Sequence, residues 1–204
     1  MKRAAGGRPP SKPRTPAVRI GAGRWKGRRL EVPQGARPTS SKAREALFDI
    51  LQERVAGSRV LELYAGSGAV GLEALSRGAA RSVLVEPSAS ALERNLVRLA
   101  PETGTFELLR REAGAAVSEL LRRGERFDIV FADPPYAGEL AADLPAGAAR
   151  LLAEGGTFVL QSDVGREPTP AGLRLIERRA YGRNVLSFFE AARETPAASP
   201  PARF

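Results

Sequence analysis

Val60-Leu-Glu62-Leu-Tyr64-Ala-Gly66-Ser67-Gly68-Ala-Val-Gly71 is an apolar run that ends in a glycine-rich turn and reopens at helical spacing. Read as strand, turn and helix, it sets the fold class, because the same unit recurs downstream. Ser82–Val85 predicts a second strand and Ser88–Leu99 a second helix. Phe106–Leu109 with Ala115–Arg122, and Phe127–Ala132 with Leu140–Leu152, repeat the pair, and Thr157–Gln161 adds a fifth strand. Strands alternating with helices of this length imply right-handed crossovers, a mainly parallel sheet and helices on both faces. After Pro170 the pattern changes. Leu173–Ala180 and Asn184–Ala191 predict two strands joined near Gly182, too close for a parallel crossover, so an antiparallel edge pair is expected.

The glycine-rich turn is a candidate cofactor loop. Gly66 and Gly68 let the backbone turn tightly and approach a ligand closely. Gly66-x-Gly68-x-x-Gly71 also matches the dinucleotide fingerprint, and Glu86 stands 20 residues beyond Gly66, placed to accept both ribose hydroxyls of an adenosine. The loop therefore predicts an adenosine cofactor before it chooses one. Glu62 helps to choose: a carboxylate just ahead of the glycines repels a pyrophosphate and suits the cationic aminoacyl end of S-adenosylmethionine, through water or the adjacent backbone. The plainer alternative is a tight turn without a ligand.

Phe127-Asp-Ile-Val-Phe-Ala-Asp133-Pro134-Pro135-Tyr136 is an apolar strand ending in a proline-fixed loop. In an open parallel sheet, ligands collect beyond the carboxyl ends of the strands, so this loop and the cofactor loop share one crevice. An exocyclic amino group has two hydrogens. Asp133 can accept one and the Pro134 carbonyl the other, which draws the nitrogen lone pair out of conjugation and aims it at a methyl donor. Tyr136 is placed to stack on an extruded base. The competing reading is a Pro-rich turn with a helix-capping Asp. No Cys and no His occur in the chain, which removes disulfides, thiolate metal sites, Ser-His or Cys-His nucleophiles and the covalent adduct that methylation at pyrimidine C5 needs. Transfer to a nitrogen needs none of these, and no metal is expected.

Charge is distributed unevenly. Of 32 basic and 23 acidic residues, 13 and 1 fall within residues 1–44, so 19 and 22 remain in 45–204 and the whole positive excess sits in the first fifth of the chain. Met1–Pro16 is basic and Pro-rich with nothing to bury, which predicts a disordered tail, and a solubilising role fits it as well as an RNA-binding one. No apolar stretch follows Met1–Thr15, so a signal peptide is not expected, and no run is long enough to span a bilayer; a cytoplasmic protein is expected. Ala17–Gly21 and Arg28–Val32 predict a hairpin around Gly23–Gly27, and Ala46, Leu47, Ile50, Leu51 and Val55 the apolar face of a helix entered through Thr39-Ser40-Ser41. Here the cations Arg19, Arg24, Lys26, Arg28 and Arg29 interleave with Ile20, Trp25, Leu30 and Val32, a pattern suited to tracking a phosphate backbone.

From about Arg19 to Glu190 the sequence resembles the RsmD-type 16S ribosomal RNA guanine-N2 methyltransferases. The resemblance rests on Arg19-Ile-Gly-Ala-Gly23-Arg-Trp-Lys-Gly27-Arg, Arg37-Pro-Thr39, Arg44-Glu45-Ala-Leu47-Phe48, Leu61–Gly68, Gly71-Leu-Glu-Ala-Leu-Ser-Arg-Gly78-Ala, Val85-Glu86, Asn95-Leu96, Asp133–Tyr136, Gly155-Gly156 and Tyr181-Gly182. Asp-Pro-Pro-Tyr is shared with adenine-N6 and cytosine-N4 enzymes; the Arg-Pro-Thr and Arg-Glu-x-Leu-Phe elements are more selective. The resemblance implies an α/β, Rossmann-like class I methyltransferase with a seven-stranded, mainly parallel sheet, an antiparallel edge hairpin and a small N-terminal hairpin and helix. It implies a guanine of 16S rRNA, or of a small-subunit assembly intermediate, as substrate, and a monomer. Asp133, Pro134, Pro135 and Tyr136 would be catalytic. Glu62, Tyr64, Gly66, Ser67, Gly68, Glu86, Pro87, Arg37, Thr39 and Glu45 would border the cofactor and base. Three places depart from the family: Ser41 stands where Asp is frequent, Glu112-Ala113 replaces an Asp-Ala pair that touches the adenine, and Gln161, whose role the resemblance leaves open, stands where an acidic residue is frequent.

The expected organisation is a tail (1–16), an RNA-binding hairpin and helix (17–56), a methyltransferase domain (57–193) and a flexible end (194–204). An adenine-N6 methyltransferase acting on RNA or DNA is the second reading. A non-catalytic RNA-binding assembly factor with a vestigial pocket is the third, and a dehydrogenase a distant fourth.

Overall fold

The computed structural model describes residues 18–34, 41–134, 144–166 and 170–192. Two short strands, β1 (Val18–Arg19) and β2 (Arg29–Leu30), pair antiparallel, and α1 (Ser41–Val55) follows. Then come β3 (Arg59–Leu63), α2 (Ala69–Ser76), β4 (Arg81–Val85), α3 (Ser90–Leu99), β5 (Phe106–Leu109), α4 (Ala113–Arg122) and β6 (Phe127–Ala132). The chain continues through α5 (Leu144–Leu151), β7 (Leu152–Asp163), β8 (Leu173–Tyr181) and β9 (Asn184–Ala191). The main sheet has seven strands in the order β5-β4-β3-β6-β7-β9-β8. The first five are parallel, and β9 and β8 close the edge antiparallel, the expected fold.

The strands divide their side chains by the period of two between two cores. Val60, Leu84, Ile129, Phe131 and Val159 face the side covered by α1, α2 and α3. Leu61, Leu63, Val83, Val130 and Phe158 face α4 and α5 on the other side. On α1 the buried residues Leu47, Phe48, Leu51 and Val55 recur at helical spacing, and each contributes roughly 1.5–3 kcal/mol of burial.

Several boundaries differ from expectation: α4 starts at Ala113 rather than Ala115, and the hairpin strands shorten to Val18–Arg19 and Arg29–Leu30. The second helix starts at Ser90 rather than Ser88, because Pro87–Ala89 form a turn. The helix expected over 140–152 is seen as Leu144–Leu151, with 140–143 outside the described residues. β7 begins five residues early: its pairing with β6 skips register between Phe127 and Ile129, and Gly155, at φ 70°, absorbs the extra residues as a bulge.

The N-terminal hairpin packs at the end of α2 remote from the cofactor loop. The Arg24 N–H donates to the Ser76 carbonyl (2.9 Å), and the Trp25 N–H to the Ser76 hydroxyl (2.9 Å). Gly23, at φ 77°, lies so close that an added Cβ would sit 1.7 Å from the Ser76 oxygen; only glycine fits. The chain then climbs along α3 to Glu31, beside the cofactor loop.

Candidate active site

β3 and β6 are neighbours in register, with Leu63 opposite Ala132. Their carboxyl ends therefore bring the Tyr64–Gly68 loop beside Asp133 and Pro134. The two loops that the sequence expects to share a site follow neighbouring strand ends, brought together by long-range pairing.

The loop is bound from three directions. Glu62 is buried, and its Oε2 accepts from the Gly71 N–H (2.8 Å) while Oε1 accepts from the Val70 N–H (3.2 Å). It thus holds the first turn of α2 and reaches the crevice through the adjacent backbone. Glu86, at the end of β4, accepts from the Gly66 N–H (2.9 Å) and the Ser88 N–H (3.1 Å). Asn95 is fully buried on α3; its Nδ2 donates to the Ser67 carbonyl and the Glu31 carbonyl (2.9 Å each), and its Oδ1 accepts from the Glu31 N–H (2.8 Å). A single amide thereby ties the N-terminal segment to the cofactor loop. Its signal in the sequence was one polar residue within the apolar face Ala91, Leu92, Leu96 and Leu99.

Local backbone conformation shapes the cradle. Gly68 lies in the left-handed region at the start of α2, and an added Cβ would meet Leu92 at 2.4 Å. Tyr64, which is not glycine, also has a positive φ of 59°, a strained state of the kind that collects at ligand sites. At Gly66 an added Cβ would meet nothing within 4 Å, so its bare backbone opens on free space. Tyr64 is half-buried, and burial, then the Glu112 carboxylate, raises its phenol above the ordinary value; Glu112 is thereby placed near Tyr64. Glu112 is exposed ahead of α4, Ala113 is buried and Pro87 is exposed in the turn after Glu86. A bare glycine, a strained loop and a carboxylate on the next strand fit an adenosine with its ribose.

Asp133 is half-buried, and the Gln161 Nε2 donates to its Oδ2 (2.9 Å). At this position, where an acidic residue is frequent in the family it resembles, a neutral amide donor buried on β7 supports the carboxylate. Pro134 is buried; Pro135, Tyr136, Arg37 and Thr39 lie outside the described residues. Glu45 is exposed one turn into α1. Of the cations expected to bind RNA, Arg19 donates to the Gly27 carbonyl (2.7 Å), and Arg24 stacks on Trp25 and pairs with Glu102 (3.4 Å). Lys26, Arg28 and Arg29 are exposed. The hairpin tip stands roughly the length of α2, about 12 Å, below the crevice.

Burial pushes the Glu62 carboxyl up to about 8; the Gly71 and Val70 N–H groups oppose this, Asp133 adds to it and Arg44 lowers it. Between its ordinary 4.5 and 8, the folded chain holds a proton that the unfolded chain has released. The contribution of Glu62 to stability is therefore fully present below 4.5, falls as pH rises to about 8, and is flat above. The difference in unfolding free energy between wild type and Glu62→Gln is expected to shrink by a few kcal/mol, roughly, from pH 5 to 8. Denaturant titrations at intervals across that range measure it; a pH-independent difference would mean that Glu62 is ionised throughout.

A family model described as Conserved hypothetical protein 95 matches residues 18–190. The chain is 39% identical over 122 residues to the ribosomal RNA small subunit methyltransferase D of Escherichia coli K12, a match that takes in 58% of this chain but only 60% of that protein's length. It is 29% identical over 181 residues to the putative rRNA methyltransferase YlbH of Bacillus subtilis, covering 85% of this chain and 98% of that one. Among solved structures, the putative methyltransferase yhhF of Escherichia coli superposes with a TM-score of 0.72 at 33% identity, covering 86% of this chain and 99% of that one.

Proposed function

The chain belongs to the Conserved hypothetical protein 95 family, and on that premise we propose that it transfers a methyl group from S-adenosylmethionine to the exocyclic N2 of a guanine in 16S ribosomal RNA. The observation that carries this reading is the pairing of the Glu62–Gly71 loop with Asp133-Pro134 across adjacent, in-register strands. The name of the Escherichia coli relative supports small-subunit RNA as the substrate.

Gly66, Ser67 and Gly68, with Tyr64 and Glu86, would hold the cofactor, and Glu112 and Ala113 would lie along its adenine side. When bound, S-adenosylmethionine supplies an electrophilic methyl group. The chain's own residues prepare the nucleophile. Asp133 would accept one amino hydrogen and the Pro134 carbonyl the second, so that the nitrogen lone pair is freed from the ring and oriented. Gln161 keeps the carboxylate from rotating away. The proton leaves to solvent after transfer, so no His or Cys is needed. No helix among the described residues is long and apolar enough to cross a membrane, and they contain no cluster of metal-ligating side chains. A cytoplasmic monomer acting without a metal on rRNA or on an assembly particle completes the proposal.

The test is to incubate the protein and labelled cofactor with undermethylated small-subunit rRNA, free and assembled, and to digest the product to nucleosides for mass spectrometry. N2-methylguanosine is expected. N6-methyladenosine would replace this reading by the adenine one, and an unmodified product from both substrates would overturn it.

A further inference from the structure

The RNA-contacting surface expected from the sequence lies on the N-terminal hairpin, which packs against Ser76 at the end of α2 remote from the cofactor loop. The carboxyl edge, where Asp133 stands, carries its own cations. β7 runs two residues past Gln161 to Asp163, which pairs with Asn184 at the start of β9, and Asn184 pairs with Tyr181 at the end of β8. The exit from β7 and the β8–β9 turn therefore sit together on the same edge as the reaction loop. The Val164 N–H donates to the Arg183 carbonyl (3.0 Å), which fastens the two turns to each other.

Arg166 and Arg183 rise from these turns around an open depression of about 570 Å³, lined also by Asp163, Val164 and Gly182. Both arginines are exposed, and neither guanidinium has a side-chain partner among the described residues. This separates them from most arginines of the domain: Arg59, Arg81, Arg94, Arg98, Arg110, Arg111 and Arg123 are all held in ion pairs. Val164 is 56% exposed between Arg166 and Arg183. Strand spacing and rise put the depression on the order of 10–15 Å from Asp133, within reach of phosphates beside the target nucleotide.

We propose that Arg166 and Arg183 form a phosphate-binding rim that holds the RNA backbone next to the nucleotide being methylated, with Val164 packing against a neighbouring sugar or base. This rests on the reading that the substrate is RNA. Free guanidiniums at fixed turns suit phosphate oxygens, which they bind through paired N–H groups, and the contact carries no sequence information. The rim positions the strand; Asp133 and its loop act on the base.

The full-length protein is titrated with a 16S rRNA transcript at several salt concentrations. Replacing both residues (Arg166→Ala with Arg183→Ala) is expected to weaken binding about tenfold or more, and to flatten the slope of log affinity against log salt by about 1.4–1.8, the value for two phosphate contacts. S-adenosylmethionine affinity, measured by calorimetry, stays as in wild type and shows that the fold is intact. The Lys pair at the same positions restores most of the slope, because phosphate tracking needs the charge. An unchanged slope in the Ala pair, with the loss appearing instead in Arg24→Ala/Lys26→Ala, would overturn the rim. A wild type that binds RNA with this slope but methylates none of it would overturn the proposed function and leave the rim standing.

Discussion

Replacing Asp133 by Ala is expected to lower kcat for methyl transfer by about a hundred- to a thousand-fold, with cofactor affinity unchanged. The reason is the position of its carboxylate. It stands at the end of β6, directly across from the cofactor loop, and its Oδ2 is held by the Gln161 amide at 2.9 Å. The partner fixes which way the amide points, since only the nitrogen of Gln161 can face a carboxylate. Removing the carboxylate takes away an acceptor for an amino hydrogen and leaves a buried amide donor without its partner. Asp133→Asn divides these effects. Its single oxygen can face Gln161 or the substrate but not both, so a loss of about tenfold is expected, at the level seen when one positioning contact is weakened. Single-turnover methylation with saturating cofactor measures both variants. If Asp133→Ala transfers methyl groups at the wild-type rate, Asp133 has no part in the chemistry. If the variant is inactive yet fully rescues assembly defects in a deletion strain, binding is the function that matters.

The second large effect concerns stability. Glu73→Ala is expected to destabilise the fold by about 3–5 kcal/mol, because it strands a buried charge. Glu73 and Arg44 are 1% and 4% exposed, and Nε of Arg44 donates to Oε2 of Glu73 at 2.9 Å. Arg77 donates to Oε1 of the same carboxylate through Nε (3.1 Å) and Nη2 (2.8 Å), and its guanidinium stacks on Phe48 with 4.6 Å to the ring centre. Arg44 also donates to the Arg19 carbonyl (2.5 Å). One carboxylate therefore joins α1, α2 and the N-terminal hairpin. Glu73→Gln keeps one acceptor and should cost less. Urea denaturation followed by circular dichroism measures the shift in midpoint at constant slope. A loss below 1 kcal/mol, roughly, would place this network among ion pairs that water compensates.

Much of the fold was legible because its signals are local. Short apolar runs bounded by turn residues mark Val60–Leu63 and Phe127–Ala132 as strands, and spacing by three and four marks α1 and α3 as helices; both signals are written in neighbouring residues. The glycines of the cofactor loop were equally plain, since a tight turn into a helix needs them at that spacing. The bulge that lengthens β7 was not, because it depends on which residue of β6 stands opposite.

Residue types and their order were enough to determine a doubly covered parallel sheet with an antiparallel edge, an adenosine-type loop and an amino-group loop at one edge of it. Partners and distances were decided by tertiary structure alone. Glu62 turned out to bind the backbone of α2, Asn95 to join Glu31 to Ser67, and Gln161 to support Asp133. The basic hairpin, the strongest charge signal in the sequence, went to the remote end of α2, and the exposed arginines Arg166 and Arg183 came from turns with no concentration of charge in the sequence. The physical reason is range. Periodicity acts over one or two turns of chain, whereas these contacts join residues tens of positions apart, brought together only when the strands take their order in the sheet.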